Sequence, residues 1–262
     1  MMSDNKVNTK ITILGCGSSG GVPLIGGIWG PCDPNEPKNY RSRVSVLVNV
    51  NNVNLLVDTS PDLRTQMLAS KTKNIDGVIY THAHADHVHG IDDLRAFCWK
   101  RESPLPIYGD KETIHQITNR FNYAFNSYGK PALPTLKANI IKIGENKILN
   151  KVSFKAIKQI HGIGHSLGYR FSNFAYSTDL NKLSNKSKEE LLNLDVWVVD
   201  CVRYEPHYSH SHLSQTLEWI EELKPNKAIL THMGHWLDYK ELKGKLPKGV
   251  EPGYDGLIIN SS

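Results

Sequence analysis

The chain has 262 residues and carries 31 Lys and Arg against 26 Asp and Glu, which gives a formal net charge of +5. Its 39% hydrophobic and 22% charged residues are ordinary for a globular protein and exclude a disordered or collagen-like chain, and the charge is too small to argue for nucleic-acid or membrane binding. Histidine is the unusual residue, because eleven of the 12 fall in four groups: His82, His84, His87 and His89; His161 and His165; His207, His210 and His212; His232 and His235.

The predicted elements describe an α/β chain in which strands dominate. Strands are inferred from short β-branched runs, and helices from apolar residues spaced by three and four. In chain order we predict a strand at 10–15, strands at 44–50 and 53–57, a helix at 62–70, a strand at 77–80, a helix at 111–125, strands at 152–160, 167–171 and 174–177, a helix at 187–193, a strand at 196–200, a helix at 212–223, a strand at 227–230, a helix at 238–246 and a strand at 256–260. No repeat or linker divides them, so we expect one domain over 1–262, with 101–137 as an insertion that shapes specificity.

The chain ends and the cysteines favour a cytoplasmic protein that does not bind membranes. The first residues contain no apolar segment followed by a small-residue cleavage site, so no secretory signal is expected. No stretch approaches the roughly 18 consecutive apolar residues of a membrane helix. The four cysteines, Cys16, Cys32, Cys98 and Cys201, form no Cys-x-x-Cys pair, so we expect reduced thiols.

Four metal-ligand or acidic residues lie just beyond the ends of predicted strands. These are Asp58, His82, Asp179 and His232. Side chains at the carboxyl ends of strands converge at one edge of a sheet, where α/β proteins usually build their sites. We therefore expect these four residues to meet.

The densest signal is the motif His82-x-His84-x-Asp86-His87. Imidazole nitrogen and carboxylate oxygen are good ligands for Zn²⁺ and related divalent ions. In an extended segment residues two apart point the same way, so His82 and His84 can bind one ion. If a helix follows, Asp86 and His87 move to a second position beside it. The motif needs further ligands from elsewhere, for which the candidates are His161, Asp179 and His232.

The order of Asp58, the His82–His87 motif, His161, Asp179 and His232 resembles the five motifs of the metallo-β-lactamase superfamily. The resemblance covers nearly the whole chain and implies an αββα sandwich with two divalent metal ions at one edge, Zn²⁺ first, with Mn²⁺ or Fe as alternatives. It also implies the ligands: His82, His84 and His161 for the first ion, Asp86, His87 and His232 for the second, Asp179 as the bridge, and Asp58 as the residue that orients a ligand.

Two further segments resemble PhnP-type phosphodiesterases and, more loosely, tRNase Z. One is the opening from Leu14 to Pro23, and the other runs from Thr231 to Gly256. The resemblance implies His212 as a catalytic residue beside Asp86. It leaves open whether His165 contacts substrate or is merely exposed. The expected substrate contacts are Ser18, Ser19, His165 and His235, whereas His207 and His210 are expected to be loop histidines, and His89 and His115 have no assigned role.

The cysteine-rich structural metal site of PhnP-type proteins is reduced here to Cys32. A third, structural zinc is therefore not expected. The segment Gly15-x-Gly17-x-x-Gly20 matches a dinucleotide-binding fingerprint, but glycines and prolines follow where that fingerprint needs a helix. We expect these glycines to let backbone approach the metal site or a substrate phosphate closely.

The expected function is that of a metal-dependent hydrolase, most specifically a phosphodiesterase. A hydroxide bridging the two ions would attack a small cyclic phosphate or a nucleotide-type phosphodiester. A bridging Asp179 argues against the antibiotic-hydrolysing branch. Two alternatives stay open: a tRNA 3′-processing endonuclease of the tRNase Z type, with RNA as partner, and a non-catalytic protein that binds metal or nucleotides. The resemblance also implies a homodimer.

Overall fold

The computed structural model describes residues 9–99, 101–127 and 135–261. The strands are β1 Thr9–Gly15, β2 Ser45–Val50, β3 Val53–Val57, β4 Gly77–Ile79, β5 Leu105–Gly109, β6 Leu136–Ile140, β7 Asn146–Leu149, β8 Val152–His161, β9 Gly164–Phe171, β10 Phe174–Ser177, β11 Val196–Asp200, β12 Lys227–Thr231, β13 Val250–Pro252 and β14 Ile258–Ser261. The helices are α1 Leu63–Ser70, α2 Ala85–Val88, α3 Arg95–Cys98, α4 Lys111–Arg120, α5 Asn185–Glu189, α6 Leu213–Leu223 and α7 Tyr239–Lys245.

The strands form two mixed sheets of seven strands within the described residues, flanked by helices. Their orders are β14-β1-β2-β3-β4-β5-β6 and β13-β12-β11-β10-β9-β8-β7. From β14 and from β7, each sheet has three antiparallel pairs followed by three parallel pairs. The predicted αββα sandwich is confirmed. Its two sheets share one pairing pattern, although the sequence analysis found no internal repeat.

Alternate residues of the first sheet separate the two apolar layers. In β2, Val46 and Val48 belong to the cluster between the sheets, whereas Leu47 belongs to the cluster beneath the helices. In β3, Leu55 and Leu56 divide in the same way. Successive side chains of a strand point to opposite faces, so runs of apolar residues identify strands that are buried on both sides.

The hairpin between β2 and β3 has a two-residue turn, Asn51-Asn52. Asn51 and Asn52 adopt φ values of 49° and 68°, which a two-residue turn with right-handed strand twist requires. The predicted helix at 187–193 lies instead at Asn185–Glu189. Ser184 accepts a hydrogen bond from the Ser187 N–H and so sets the start of this helix.

The segment 101–137, predicted to be an insertion, contributes to the first sheet in its described residues. It supplies β5, which pairs in parallel with β4 and β6, and helix α4. Residues 128–134 of the segment lie outside the described residues. Its predicted role in specificity stays a prediction, to which the pocket described below gives support.

Two glycines of the rejected fingerprint, Gly15 and Gly17, pack against neighbouring backbone. A Cβ atom on Gly15 would lie 2.1 Å from the Arg43 carbonyl oxygen, and one on Gly17 would lie 2.8 Å from that of Arg41. Packing against backbone is thus sufficient reason for these two glycines, and close approach to a metal or phosphate stays a prediction. Within the described ranges, none of the helices combines the length and apolar character that a membrane crossing requires.

Candidate metal centre

Three strands of the sandwich are followed, within two residues, by a residue with left-handed backbone. Asp58 follows β3 with φ of 62°, Asp179 follows β10 with φ of 55°, and His232 follows β12 with φ of 57°. Such a conformation is strained for residues with a Cβ atom and persists where the surrounding structure holds it. All three side chains are buried. The strand ends therefore bring acidic and imidazole groups together at one edge, as predicted.

The first group of ligand-type atoms combines both sheets. His82 and His84 follow β4, His161 ends β8, and Asp179 follows β10. Their ligand atoms lie within 4.8 Å of one another. The Oδ1 atom of Asp179 is 3.8 Å from His82 Nε2 and 3.8 Å from His161 Nε2.

The second group contains Asp86, His87 and His232. Asp86 Oδ2 lies 3.4 Å from His87 Nε2 and 3.7 Å from His232 Nε2. The Oδ2 atom of Asp179 lies 3.1 Å from His87 Nε2 and 3.5 Å from His232 Nε2. One carboxylate thus directs its two oxygens at two separate groups, which is the geometry of a bridge between two ions.

Asp58 orients His87 from behind the site. Its Oδ2 atom is 2.7 Å from His87 Nδ1, and its two oxygens accept hydrogen bonds of 2.8 Å from the N–H and the Oγ1–H of Thr81. Because Nδ1 donates to this carboxylate, Nε2 carries the free lone pair. Metal-binding histidines commonly have such a partner.

Two other histidines are oriented in the same way. His161 Nδ1 is 2.8 Å from the Ser209 carbonyl oxygen, and His82 Nδ1 is 3.0 Å from Thr81 Oγ1. In each ring the Nδ1 contact leaves Nε2 directed at the site.

The unpartnered atoms of the site fit metal ions. The Nε2 atoms of His82, His87 and His232 are buried without a hydrogen-bond partner. Leaving a buried polar atom unsatisfied costs about 1–3 kcal/mol, and coordination of a divalent ion removes that cost. Burial lowers the pKa of His82 and of His161, which favours the neutral imidazole that a metal needs. These nitrogen and carboxylate ligands suit Zn²⁺, with Mn²⁺ and Fe as alternatives.

The raised pKa of His232 also supports metal binding at this site. Burial opposes its protonation, but Asp179, Asp200 and Asp86 raise its pKa to about 10. A cluster of buried carboxylates thus attracts positive charge to this position. Divalent ions would supply that charge and displace the proton, so metal binding here is expected to release protons.

Sequence reasoning missed two residues of the site, Asp200 and His210. His210 Nδ1 lies 3.4 Å from Asp200 Oδ2 and 3.7 Å from Asp179 Oδ1, and its ring stacks on His232 at 4.7 Å between centroids. Together with Asp179 and His232 it forms a third metal-capable group. Asp200 ends a buried apolar strand as Asp58 follows one, which is the signal that could have identified it.

With the exception of the buried His87, the residues of these groups line one cavity of about 700 Å³, within the range of small-molecule sites. The sequence model of the Beta-lactamase superfamily domain matches residues 53–233, which include every residue of the groups above. The chain belongs to the metallo-β-lactamase superfamily.

Two solved structures of this superfamily extend the comparison. A structure described as a new diphosphatase from the PhnP family is 33% identical, with a TM-score of 0.90 over 97% of both chains. The short form of human tRNase Z is 14% identical, with a TM-score of 0.70 over 95% of this chain and 98% of that one, a likeness of fold alone. The chain is thus a PhnP-like member of the superfamily, related to tRNase Z.

Two curated relatives of this chain are named for different activities. An octanoyltransferase of Porphyromonas gingivalis is 31% identical over 251 residues, which are 95% of this chain and 51% of that protein. A ribonuclease Z of Thermococcus sibiricus is 35% identical over 185 residues, which are 70% of this chain and 50% of that protein. The chain spans about half the length of these relatives.

The structure does not bring His212 into the site of this superfamily member. His212 is half-buried and does not line the cavity, whereas His210 does. His212 precedes α6, and its backbone pairs with Arg203. The expectation that His212 acts in the site and that His210 is a loop histidine was therefore wrong in position. The histidine that lines the cavity is His210, two residues before the predicted one.

The expected substrate contacts divide in the structure. Ser18, Ser19 and His165 line the cavity, but His235 does not, and its neighbour Trp236 does. His165 Nε2 is 2.6 Å from Asp110 Oδ2.

The wall on the Asp110 side comes from the segment 101–137. Asp110 accepts a hydrogen bond from the Thr113 N–H at the start of α4, and Glu112, Thr113 and Gln116 also line the cavity.

The remaining histidines and Cys32 belong to none of the metal-capable groups. His89 and His115 are exposed, and His115 contacts Asn119. His207 lines the cavity with its ring 5.1 Å from that of His210. Cys32 is buried, and its Sγ donates to the His235 carbonyl oxygen.

Proposed function

We propose that this protein is a dinuclear metal-dependent phosphodiesterase that acts on a small cyclic phosphate or a nucleotide-type phosphodiester. The observation that carries the proposal is the carboxylate of Asp179, whose two oxygens face two separate groups of imidazole nitrogens. Two ions would be held by His82, His84 and His161, and by Asp86, His87 and His232, with Asp179 shared.

Two divalent ions, when bound, would activate a water molecule and offset the negative charge that develops on phosphorus. The residues around them favour an anionic substrate. Two divalent ions contribute four positive charges, and the carboxylates of Asp86 and Asp179 contribute two negative charges. The centre therefore carries about +2 by formal counting with neutral histidines. Burial would raise the pKa of Asp86, but His87 and His232 lower it, so Asp86 remains a carboxylate.

His210 is proposed to act on the phosphoryl oxygen or the leaving oxygen. Its Nδ1 atom is engaged by Asp200, which leaves Nε2 for the substrate. A histidine can donate a proton near neutral pH, and a positioned donor contributes roughly 10²–10⁴-fold to rate. Asp200 fixes the ring, and its backbone carbonyl accepts hydrogen bonds from Ser211 and Thr216 that hold the loop.

A substrate panel on metal-loaded protein tests the proposal. It contains a chromogenic phosphodiester, 2′,3′- and 3′,5′-cyclic nucleotides, a cyclic ribose phosphate, a precursor tRNA, a thioester and a β-lactam. We expect the diesters to be hydrolysed. Activity confined to the thioester or the β-lactam would overturn the proposal.

A matched pair of variants ties activity to the bridge. We expect Asp179→Asn to lose activity and metal content together, because one neutral oxygen cannot serve two ions. Asp92→Asn changes an exposed carboxylate that lies outside the cavity and should retain both properties. An active, metal-loaded Asp179→Asn protein would contradict the assignment.

A tRNA 3′-processing endonuclease is the second candidate. It is favoured by the relatives named ribonuclease Z, one of which is 35% identical over 70% of this chain. Cleavage of precursor tRNA without hydrolysis of small diesters would establish it instead. A protein that holds two ions yet hydrolyses nothing in the panel would favour a non-catalytic metal-binding or nucleotide-binding role.

We also propose a homodimer and a cytoplasmic location. The first is based on the likeness to PhnP-type proteins, and the second on the four cysteines, which form no Cys-x-x-Cys pair. Light scattering on purified protein measures the first, and a mass equal to that of a single chain would overturn it. Fractionation of cells that produce the natural protein measures the second.

A further inference from the structure

A second pair of a histidine and a carboxylate, His165 and Asp110, lines the cavity. Neither residue belongs to a metal-capable group, and the proposed mechanism uses neither of them. The pair has the same composition as His210 and Asp200, but it comes from other elements of the fold. His165 lies in β9, and Asp110 follows β5 and precedes α4.

Both oxygens of Asp110 are engaged, and this fixes the ring of His165. Oδ1 accepts a hydrogen bond of 2.8 Å from the Thr113 N–H, and Oδ2 lies 2.6 Å from His165 Nε2. Burial would raise the pKa of Asp110, but the hydrogen bonds from Thr113 and His165 lower it, so Asp110 is a carboxylate. Because a carboxylate only accepts hydrogen bonds, His165 Nε2 is the donor in this pair.

The second ring nitrogen of His165 is left for a ligand. In the part of the chain that the structure describes, His165 Nδ1 has no hydrogen-bond partner. The side chain is 26% exposed and lines the cavity. When the ring is protonated it can give up the Nδ1 proton, while Asp110 holds the Nε2–H in place and stabilises the imidazolium.

The backbone holds this pair at the edge of the sandwich that carries the metal-capable groups. Two residues beyond His165, the Leu167 N–H donates to the Thr81 carbonyl oxygen at 2.8 Å. Strand β9 of the second sheet is thus tied to the segment of the first sheet that leads into His82. Asp110 reaches the pair from the first sheet, so both sheets fix the position of the ring.

His210 and His165 differ in their relation to the metal-capable groups. His210 belongs to one of them, with its Nδ1 atom 3.7 Å from Asp179 Oδ1. A proton on His210 would therefore face the positive charge of the ions held there, which opposes it. His165 belongs to none of the groups, and Asp110 and Glu112 are acidic residues of its wall of the cavity. A protonated imidazole is thus better supported at His165.

We infer that His165 is a further catalytic residue, which donates its Nδ1 proton to the leaving oxygen of the phosphodiester. The inference rests on the proposed function, because it assumes hydrolysis at phosphorus. Water supplies the oxygen of the new P–O bond. The P–O bond to the leaving group breaks, and its electron pair stays on the leaving oxygen, which takes the proton from Nδ1. One proton of the attacking water is released to solvent, and His165 recovers a proton from solvent. His210 is then left to bind the phosphoryl oxygen.

A matched pair of substrates tests this role. Methyl 4-nitrophenyl phosphate and methyl phenyl phosphate differ only in the nitro group, which stabilises negative charge on the leaving oxygen. The phenyl ester therefore depends on a proton donor more than the 4-nitrophenyl ester does. In His165→Gln we expect kcat/KM for the phenyl ester to fall roughly 10²–10⁴-fold, the contribution of a positioned acid, and that for the 4-nitrophenyl ester to fall much less. The ratio of the two values, phenyl over 4-nitrophenyl, should therefore fall.

Three variants serve this measurement. The amide of glutamine can still donate to Asp110 but cannot transfer a proton, so His165→Gln should keep the wild-type metal content and nearly the wild-type unfolding free energy. Asp110→Asn should also lower the ratio, because asparagine still caps α4 but does not stabilise an imidazolium, and an unchanged ratio would reject the pair. His115→Gln changes an exposed histidine of α4 outside the cavity and should keep the wild-type ratio.

The ratio separates proton donation from a structural role. If His165 only joined the two sheets through Asp110, His165→Gln would lower both kcat/KM values alike, and the unchanged ratio would overturn the inference. His210→Ala should lower both values alike. A larger fall of the ratio in His210→Ala than in His165→Gln would assign the proton donation to His210 and overturn the inference as well.

Failure of this step and failure of the proposed function give different results. Hydrolysis of both esters by the wild type, with an unchanged ratio in His165→Gln, retains the phosphodiesterase and rejects the role of His165. Absence of hydrolysis of both esters by metal-loaded wild-type protein rejects the phosphodiesterase and, with it, the step assigned to His165.

Discussion

Replacing Asp58 by Asn is expected to weaken one metal position selectively. Three donors converge on this buried carboxylate, namely the Thr81 N–H at 2.8 Å, the Thr81 Oγ1–H at 2.8 Å and His87 Nδ1 at 2.7 Å. A carboxylate accepts all three with two oxygens. An asparagine has one oxygen and an NH₂ group, so one donor must face another donor.

The two orientations of the asparagine have different consequences. If its oxygen faces His87, the NH₂ group faces the Thr81 N–H, and the buried mismatch costs about 1–3 kcal/mol of folding free energy. If its NH₂ group faces His87 Nδ1, the ring must accept there, and its proton moves to Nε2. Nε2 is the atom directed at Asp86 and Asp179, so that tautomer cannot bind a metal ion.

Loss of such a partner typically lowers metal affinity by roughly 10- to 100-fold, which corresponds to about 1.4–2.7 kcal/mol. We expect this loss at the position held by Asp86, His87 and His232, with the position of His82, His84 and His161 nearly unchanged. Competition with a chromogenic chelator resolves the two binding constants, and denaturant unfolding of metal-free protein measures the folding cost. Asp92→Asn is the exposed control. Two unchanged metal affinities together with unchanged unfolding would refute the reasoning.

Three further predictions follow from the same structure. His210→Ala should retain both ions but lower kcat by roughly 10²–10⁴, whereas His212→Ala should keep nearly wild-type turnover, and equal losses would reject the assignment to His210. Removing the ions with a chelator should lower Tm, because ligands that bind only the folded state contribute about 4 kcal/mol at a thousandfold excess over Kd; an unchanged Tm would contradict the metal centre. Burial raises the pKa of Asp255 from 3.8 to about 6, so its contribution to stability is greatest below pH 3.8 and is lost as pH rises through 6. In metal-free protein, the unfolding free energy of wild type minus that of Asp255→Asn should therefore decrease by up to about 3 kcal/mol between pH 4 and 7, and a difference that rises with pH would oppose this.

The sequence by itself determined the local parts of the site. The spacing of His82, His84, Asp86 and His87 predicts two metal positions, because strand and helix periodicities are local properties of the backbone. Apolar runs ending in polar residues likewise predict which side chains reach the sheet edge. The two-sheet sandwich, and the approach of the strand ends, follow from these patterns and the superfamily resemblance.

Elements without a strong pattern of their own escaped prediction. Strands β5, β6, β7 and β13 are short, and the sequence analysis predicted none of them. The identity of β5 as a strand depends on pairing with β4 and β6, which belong to distant parts of the chain. Pairing between segments far apart in sequence has no local signature.

Only the tertiary structure decided which histidine of the 207–212 loop enters the site. The loop has no periodicity, and His210 and His212 are equivalent as residue types. The Val202–Ser211 and Arg203–Leu213 hydrogen bonds set the register of the loop, and Asp200 then engages His210. The same pairing places Arg203 at the mouth of the cavity. These contacts depend on where two strand ends and a helix start meet in space, a relation set by the packing of the whole sandwich.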